Sequence, residues 1–287
     1  MANGFASLGI GMGPLVFVPL IQYLIHLRGW AFAFVIFSVL VFTIPFPLIG
    51  LFLRYRPQEM GLSVDGDLLS NSSSNREDAP SWTEDHRISK LTKTPRFWSF
   101  LLFPSLTVFR VYIVIVHLVK YLIDHGVDRI LAASLFAAVG ALSAAFRFFW
   151  GWLSDRVGRE ITYTLGGGCF ASAILCLILF QPMTSIGLLY LFVLLFGAGW
   201  GVTAPMFMSI AGDLYKGKRF GLIYGMLEGM IGIGAAIGSW LAGYIFDQTQ
   251  SYLWAFILAI FSCIISILLA WPVAPRKYRQ PSPLPLI

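Results

Sequence analysis

Long runs without one charged side chain constrain this chain more than any other feature. Residues 1–25, 29–53, 161–212 and 248–275 contain no Asp, Glu, Lys or Arg. Each run is long enough for at least one helix across a ~30 Å hydrocarbon layer, which takes about 20 residues. A membrane barrel would instead alternate apolar and polar residues in ~10-residue segments, and no such alternation is present. Composition agrees: 57% of residues are hydrophobic and only 12% charged, too little polar surface to cover a water-soluble globule. The first run has no basic n-region and no small-residue cleavage site, so it reads as a span that stays rather than as a signal peptide. Cys169, Cys176 and Cys263 all fall within apolar stretches and read as small buried hydrophobes, with no disulfide or metal framework.

Cutting the apolar regions at Gly, Pro and charged clusters predicts eight helices, at about 4–25, 30–53, 97–122, 129–153, 161–181, 186–211, 220–246 and 252–272. An even number puts both ends on one side. The segments on that side carry Arg54, Arg56, Arg76, Arg87, Lys90, Lys93, Arg96, Arg156, Arg159, Lys216, Lys218, Arg219, Arg276, Lys277 and Arg279, against only Arg28 and Arg129 in the opposite loops. The positive-inside rule then predicts cytoplasmic termini. It also accounts for the net charge of +6 without a nucleic-acid partner. Residues 57–95, polar and short of aliphatics, read as a flexible cytoplasmic linker. The predicted organisation is two spans in 1–56, the linker 57–95, a six-span unit in 96–274 and a Pro-rich basic tail in 275–287.

An internal repeat supports that division. Trp30-Ala31-Phe32-Ala33-Phe34-Val35-Ile36-Phe37-Ser38 recurs as Trp254-Ala255-Phe256-Ile257-Leu258-Ala259-Ile260-Phe261-Ser262, and Gly9-Ile10-Gly11 and Gly232-Ile233-Gly234 precede the two copies at nearly the same offset. Spans one and two therefore copy spans seven and eight. A six-span repeat predicts one complete unit in 97–272 and, before it, a unit lacking its first four spans.

The loop after the fourth span reads Gly151-Trp152-Leu153-Ser154-Asp155-Arg156-Val157-Gly158-Arg159. It resembles the G-x-L-[SA]-D-R-x-G-R loop signature of the major facilitator superfamily. Gly151 and Gly158 suit a tight cytoplasmic turn, Asp155 suits the positive N-terminus of a neighbouring helix, and Arg156 and Arg159 suit carboxylates or phospholipid heads. Such a loop works as a gating latch in the family. Glu160 stands where the family usually has a basic residue. The wider resemblance is to the oxalate/formate antiporter and monocarboxylate transporter branch. It is carried by Gly13-Pro14 with Pro19-Leu20, Gly29-Trp30, Arg56-Pro57 with Gly61, His117 with Tyr121-x-x-Asp124-x-Gly126, Arg147 before Gly151, and Gly238-x-x-x-x-Gly243-x-x-x-Asp247 with Tyr252. The start of a drug/proton antiporter signature, Gly9-x-x-x-Gly13-Pro14, lacks its closing glycines, where Phe17 and Val18 stand. The resemblance implies an all-α membrane protein of eight transmembrane helices: the last two spans of an N-terminal six-helix bundle and the whole C-terminal bundle of a twelve-span carrier.

Charges inside spans are the candidate site, because an ionisable residue there costs roughly 2.5–3.5 kcal/mol on insertion scales and normally faces a cavity or a partner. Arg147 is too deep for easy snorkelling, and its planar fork suits a carboxylate; the resemblance gives the matching arginine to the substrate pathway. The plain alternative is a structural ion pair. Ser143 replaces the aspartate that monocarboxylate carriers often have one turn earlier, so no proton-coupling pair carries over. Arg110 and His117 are seven residues apart, hence expected on one face with Tyr121 a turn further on, as a second positive pole with a titratable group. A hydrogen-bonded structural histidine is the commoner outcome for His117. Glu228 lies at a similar depth to Arg147, predicting a carboxylate that pairs with Arg147 until a substrate competes for it, a group that takes a proton during the cycle, or a static ion pair that orients two helices. Gly221, Gly225 and Gly229, then Gly234 and Gly238, read as small-xxx-small packing rows.

Three functions compete. The first is a cell-membrane carrier of small organic anions, monocarboxylates or dicarboxylates, with protons as a candidate coupling ion, lipid as its surroundings and a complementary N-terminal piece as a candidate partner. The second is a non-transporting membrane protein, a remnant or partner of a full-length carrier. An enzyme ranks last, since no HExxH, GxSxG elbow or phosphate loop is present, and no cofactor or metal is expected.

Overall fold

The charge-free runs reappear as helices, several of them in two pieces. The computed structural model describes residues 8–52, 91–183, 185–215 and 220–273, and every regular element among them is α-helical. These are α1 (Leu8–Arg28), α2 (Trp30–Thr43), α3 (Pro45–Phe52), α4 (Pro95–Ile115), α5 (Leu118–Asp124), α6 (Arg129–Val157), α7 (Arg159–Met183), α8 (Ile186–Gly201), α9 (Thr203–Leu214), α10 (Phe220–Thr249) and α11 (Leu253–Val273). Counting α2–α3, α4–α5 and α8–α9 as single crossings, seven stretches are long and apolar enough to cross a membrane, and α1, with 21 residues, precedes them. This is the all-α, multi-span architecture that the sequence predicts. Most of the predicted linker, residues 57–90, and the tail 275–287 lie outside the described residues.

The breaks have local causes. Pro45 and Pro205 lack the N–H that would reach the carbonyls of Val41 and Gly201, and each sits in the first turn of the piece that follows. Between α4 and α5 no proline intervenes; His117 (φ −103°, ψ −5°) takes a tighter turn, its N–H bonding Val114 O at 3.1 Å. Pro104 lies inside α4 without ending it.

The chain divides into two compact units. One comprises the described residues 16–52; the other comprises 91–273 with the first residues of α1. In the first unit Phe17 meets the edge of Phe37 with centroids 5.5 Å apart, and the Arg28 guanidinium lies 5.4 Å from the Phe32 ring centroid. Leu24 and Ala33 are buried, whereas Trp30, Phe34 and Phe42 are exposed, as fits side chains whose solvent is lipid.

The six-span unit is built from two groups of three spans. α4 packs along α10 and α11, α8 packs along α6 and α7, and α7 meets α11 to join the groups. Close approach relies on glycine. A Cβ on Gly234 or Gly238 of α10 would fall 2.3 Å from the carbonyl oxygens of Ser105 and Phe109 on α4. A Cβ on Gly201 of α8 would fall 2.8 Å from Ser143 O and from Phe146 Cβ of α6. Two apolar cores result. One holds Val111, Leu122, Leu135, Phe170, Phe192 and Phe256; the other holds Phe97, Phe103, Trp150, Met206, Leu227 and Val273. Along α4, α6 and α11 the buried polar residues Thr107, Arg110, Ser143, Arg147, Ser262 and Ser266 fall between the two sets, as a polar layer at mid-depth.

Candidate functional site

Arg147 lies on α6 ten residues before Val157, about 15 Å from that helix end at ~1.5 Å per residue, and is 1% exposed. Its helix is fixed at several points. Asp128 caps the start, its carboxylate accepting from the backbone N–H of Ile130 at 2.9 Å and of Leu131 at 3.3 Å. Trp150 Nε1 donates to Ala198 O of α8 at 2.8 Å. Ser143, one turn before Arg147, donates its hydroxyl proton to Gly140 O of its own helix at 2.9 Å. Arg147 is therefore a buried cation on a rigid support.

Arg110 turns to a different set of partners. Its Nη1 donates to Ser266 Oγ of α11 at 3.0 Å, and its guanidinium carbon lies 4.7 Å from the Phe170 ring centroid and 5.9 Å from that of Tyr163, both on α7. Tyr163 donates to Ser266 Oγ at 2.9 Å and also contacts the Thr107 hydroxyl; Ser266 passes its own proton to Cys263 O at 2.8 Å. Ser266 thus accepts two hydrogen bonds and donates one, which fixes the orientation of the whole group.

His117 does not join Arg110. Its Nε2 is 3.0 Å from the Ser239 carbonyl of α10, which can only accept, so Nε2 carries the proton; Nδ1 then accepts from the Tyr252 hydroxyl at 3.3 Å. Tyr121 donates to Leu177 O of α7 at 2.7 Å and packs edge-on against Tyr252 and Phe256. The expected common face of Arg110 and His117 is not formed, because the helix breaks between them and the seven-residue rule holds only along an unbroken helix. Tyr252, in the turn before α11, has its phenol pushed up to about 12, first by burial and then by the Asp124 and Asp247 carboxylates. Lys120 pairs with Asp124 at 2.6 Å.

Glu228 is exposed on α10, with Tyr224 one turn before it as a hydrogen-bonding neighbour. Around it the glycines predicted to pack in rows fall into two sets. A Cβ on Gly221, Gly225 or Gly229 would meet nothing within 4 Å, unlike one on Gly234 or Gly238. The step from Gly229 to Gly234 is five residues, about 140° round a helix of 3.6 residues per turn, so the two sets lie on different faces.

The loop predicted as a latch is a network centred on Arg159. Its Nε donates to Asp213 Oδ2 of α9 at 3.1 Å, and Nη1 reaches Ser154 Oγ at 2.8 Å and Asp155 Oδ1 at 3.2 Å. Gly158 makes the turn with φ 108°, a backbone that L side chains rarely adopt, whereas Gly151 lies in regular helix with open space around it. Arg156 stacks its guanidinium 4.2 Å from the Trp152 ring centroid. Glu160 is buried. Sequence reasoning did not single out Asp213, although an acid next to the basic segment 216–219 was a usable signal. It also passed over Ser266 and Tyr163, hydroxyls set in otherwise apolar spans.

The whole chain is similar to known carriers. The family model described as Major Facilitator Superfamily matches residues 1–219 and 201–286. Monocarboxylate transporter 12-B of Danio rerio is 26% identical over 98% of this chain and 62% of its own length. Monocarboxylate transporter 12 of Mus musculus is 25% identical over 100% of this chain and 62% of its own. The oxalate:formate antiporter of Oxalobacter formigenes is 26% identical over 97% and 63%. The chain thus spans about three-fifths of the length of these relatives.

Proposed function

The chain belongs to the major facilitator superfamily, and from that premise we propose that it forms the larger part of a cell-membrane carrier for small organic anions. In such carriers a site near the midplane is exposed first to one side and then to the other as one half rocks against its partner. The observation that carries the reading is Arg147: a guanidinium almost wholly withdrawn from solvent, at mid-depth, on a helix held by the Asp128 cap and by the Trp150–Ala198 hydrogen bond. That fork suits a carboxylate, and the similarity to monocarboxylate and oxalate:formate carriers supports an anion of that class.

Glu228, exposed on the open face of α10, is the group through which a proton enters the cycle in this reading. His117 and Tyr121 tie α5 to α10, to α7 and to the turn before α11, with His117 the titratable member, and Arg159 with Asp155 and Asp213 forms the cytoplasmic latch. The charge distribution supports cytoplasmic termini in this reading. Uptake of radiolabelled formate, oxalate, lactate and pyruvate into proteoliposomes tests the substrate class. Saturable uptake of at least one, abolished by Arg147→Gln and partly kept by Arg147→Lys, is the expected result. An absence of saturable uptake by correctly inserted protein, with or without a co-expressed segment supplying four further spans, favours the second reading, a non-transporting partner. The three-fifths coverage of the relatives keeps that reading in play.

A further inference from the structure

The Arg110 guanidinium is completely shielded, and Nη1 donates to Ser266 Oγ; Nε and Nη2 meet no acceptor in hydrogen-bonding geometry among the described residues, although the Cys263 side chain lies close enough to interact with the cation. The two idle nitrogens are neighbours. With Nη1 taken by Ser266, the Nε–H and Nη2–H bonds form the side edge of the guanidinium plane, two parallel donors at the spacing of the oxygens of one carboxylate. The Phe170 and Tyr163 rings lie close to the cation and hold it in place. Arg110 enters none of the ion pairs Lys120–Asp124, Arg159–Asp155 and Arg159–Asp213. An ionisable neighbour, Cys263, turns its thiol proton to Gly167 O at 3.4 Å. A cation withdrawn from water and left without a countercharge is strongly destabilising.

We propose that the Nε–Nη2 edge of Arg110 is an occluded binding site, among α4, α7 and α11, for a small monocarboxylate of formate or acetate size. The site is distinct from Arg147 and stands whether or not Arg147 carries substrate. One donor pair matches one carboxylate: a dicarboxylate or a hydroxylated anion would bury further polar groups among Phe170 and its aliphatic neighbours with nothing to bond. Chloride neutralises the charge but cannot use two parallel donors. Because Arg110 is fully shielded, exchange requires α4, α7 and α11 to part, so binding is slow and is read at equilibrium.

The test is thermal unfolding of the purified 287-residue chain in detergent after overnight incubation with sodium formate, acetate, chloride or sulfate at matched ionic strength. Formate and acetate are expected to raise the midpoint about 2–4 °C above chloride at saturation. Arg110→Lys keeps the charge, and with it the fold, but loses the fork; it should lose the preference for formate over chloride, while Arg147→Lys retains it. Equal shifts with formate and chloride would mean a halide-type counterion only and overturn the carboxylate assignment. So would a formate preference that survives Arg110→Lys or disappears in Arg147→Lys. No anion dependence, with Cys263→Ser lowering the midpoint more than Ser266→Ala, would assign the countercharge to a Cys263 thiolate and overturn the site altogether. Uptake measurements with Arg147→Gln report on the carrier reading separately.

Discussion

The α4–α5 crossing and α10 are both apolar and pack along each other, yet they are used in opposite ways. More than half of the most apolar window of Pro95–Asp124 is buried inside the bundle, 56%, against 17% for Phe220–Thr249. α4 buries a cation among aromatic rings; α10 leaves a carboxylate and three glycines on an open face. Hydropathy reports which solvent a helix tolerates, and lipid and protein interior are nearly equivalent on that scale. What separates the two helices is steric and electrostatic: where a backbone comes too close for a Cβ, and where a charge finds partners.

The sharpest way to break that contrast is to add side chains to the two glycine faces of α10. Gly238→Leu, driven against Phe109 O, should prevent folding of the six-span unit, and Gly234→Ala should cost about 1–3 kcal/mol from overpacking. Gly229→Ala on the open face should be neutral or gain up to about 1 kcal/mol from helix propensity. Thermal unfolding in detergent reads all three, and equal losses on both faces would erase the distinction.

Next in size is the exposed carboxylate. Glu228→Gln should leave the midpoint within about 0.5 kcal/mol of wild type, as a surface substitution does, yet flatten the pH dependence of uptake. A variant that keeps the wild-type pH profile removes Glu228 from proton coupling. At the Arg159 end of the bundle a modest loss of stability alone is expected. The Arg159 side chain is 17% exposed and Asp213 49%, so Asp213→Asn should cost no more than about 0.2–1 kcal/mol. The smallest effect concerns Tyr252, whose folded-state pKa of about 12 lies above the ordinary value of 10. Its contribution is fully present below pH 10 and is lost as the pH rises through the folded pKa. Tyr252→Phe should therefore flatten the alkaline loss of stability between about pH 10 and 12 in a pH-dependent melt.

Depth along a helix was legible in the sequence, and direction around it was not. Counting residues from the span ends put Arg147 and Glu228 at similar depth, but one is buried and the other exposed, because facing depends on which neighbour supplies a groove. Arg110 and His117 were separated for a different reason: the turn at His117 has no proline or glycine to announce it, so a seven-residue spacing was carried across a break. The break in the sixth span, expected as one helix at 186–211, had a usable signal in Pro205, which four residues after Gly201 states the lost hydrogen bond outright. The loop string Gly151–Arg159 was legible as a unit. Its partner Asp213 was not, since the pairing joins residues more than fifty positions apart.

The interruption ahead of Pro205 also makes a lever. α8 is held against α6 and α7 by glycine contacts that leave no room for movement, while α9 beyond it is an arm of 12 residues, about 18 Å long, that carries Asp213 near its tip. A rotation of about 10° at the joint displaces that tip by about 3 Å, on the order of the whole 3.1 Å contact to Arg159. A small angular motion at mid-membrane would thereby make or break an ion pair at one rim of the bundle, with no change in the packing above the joint.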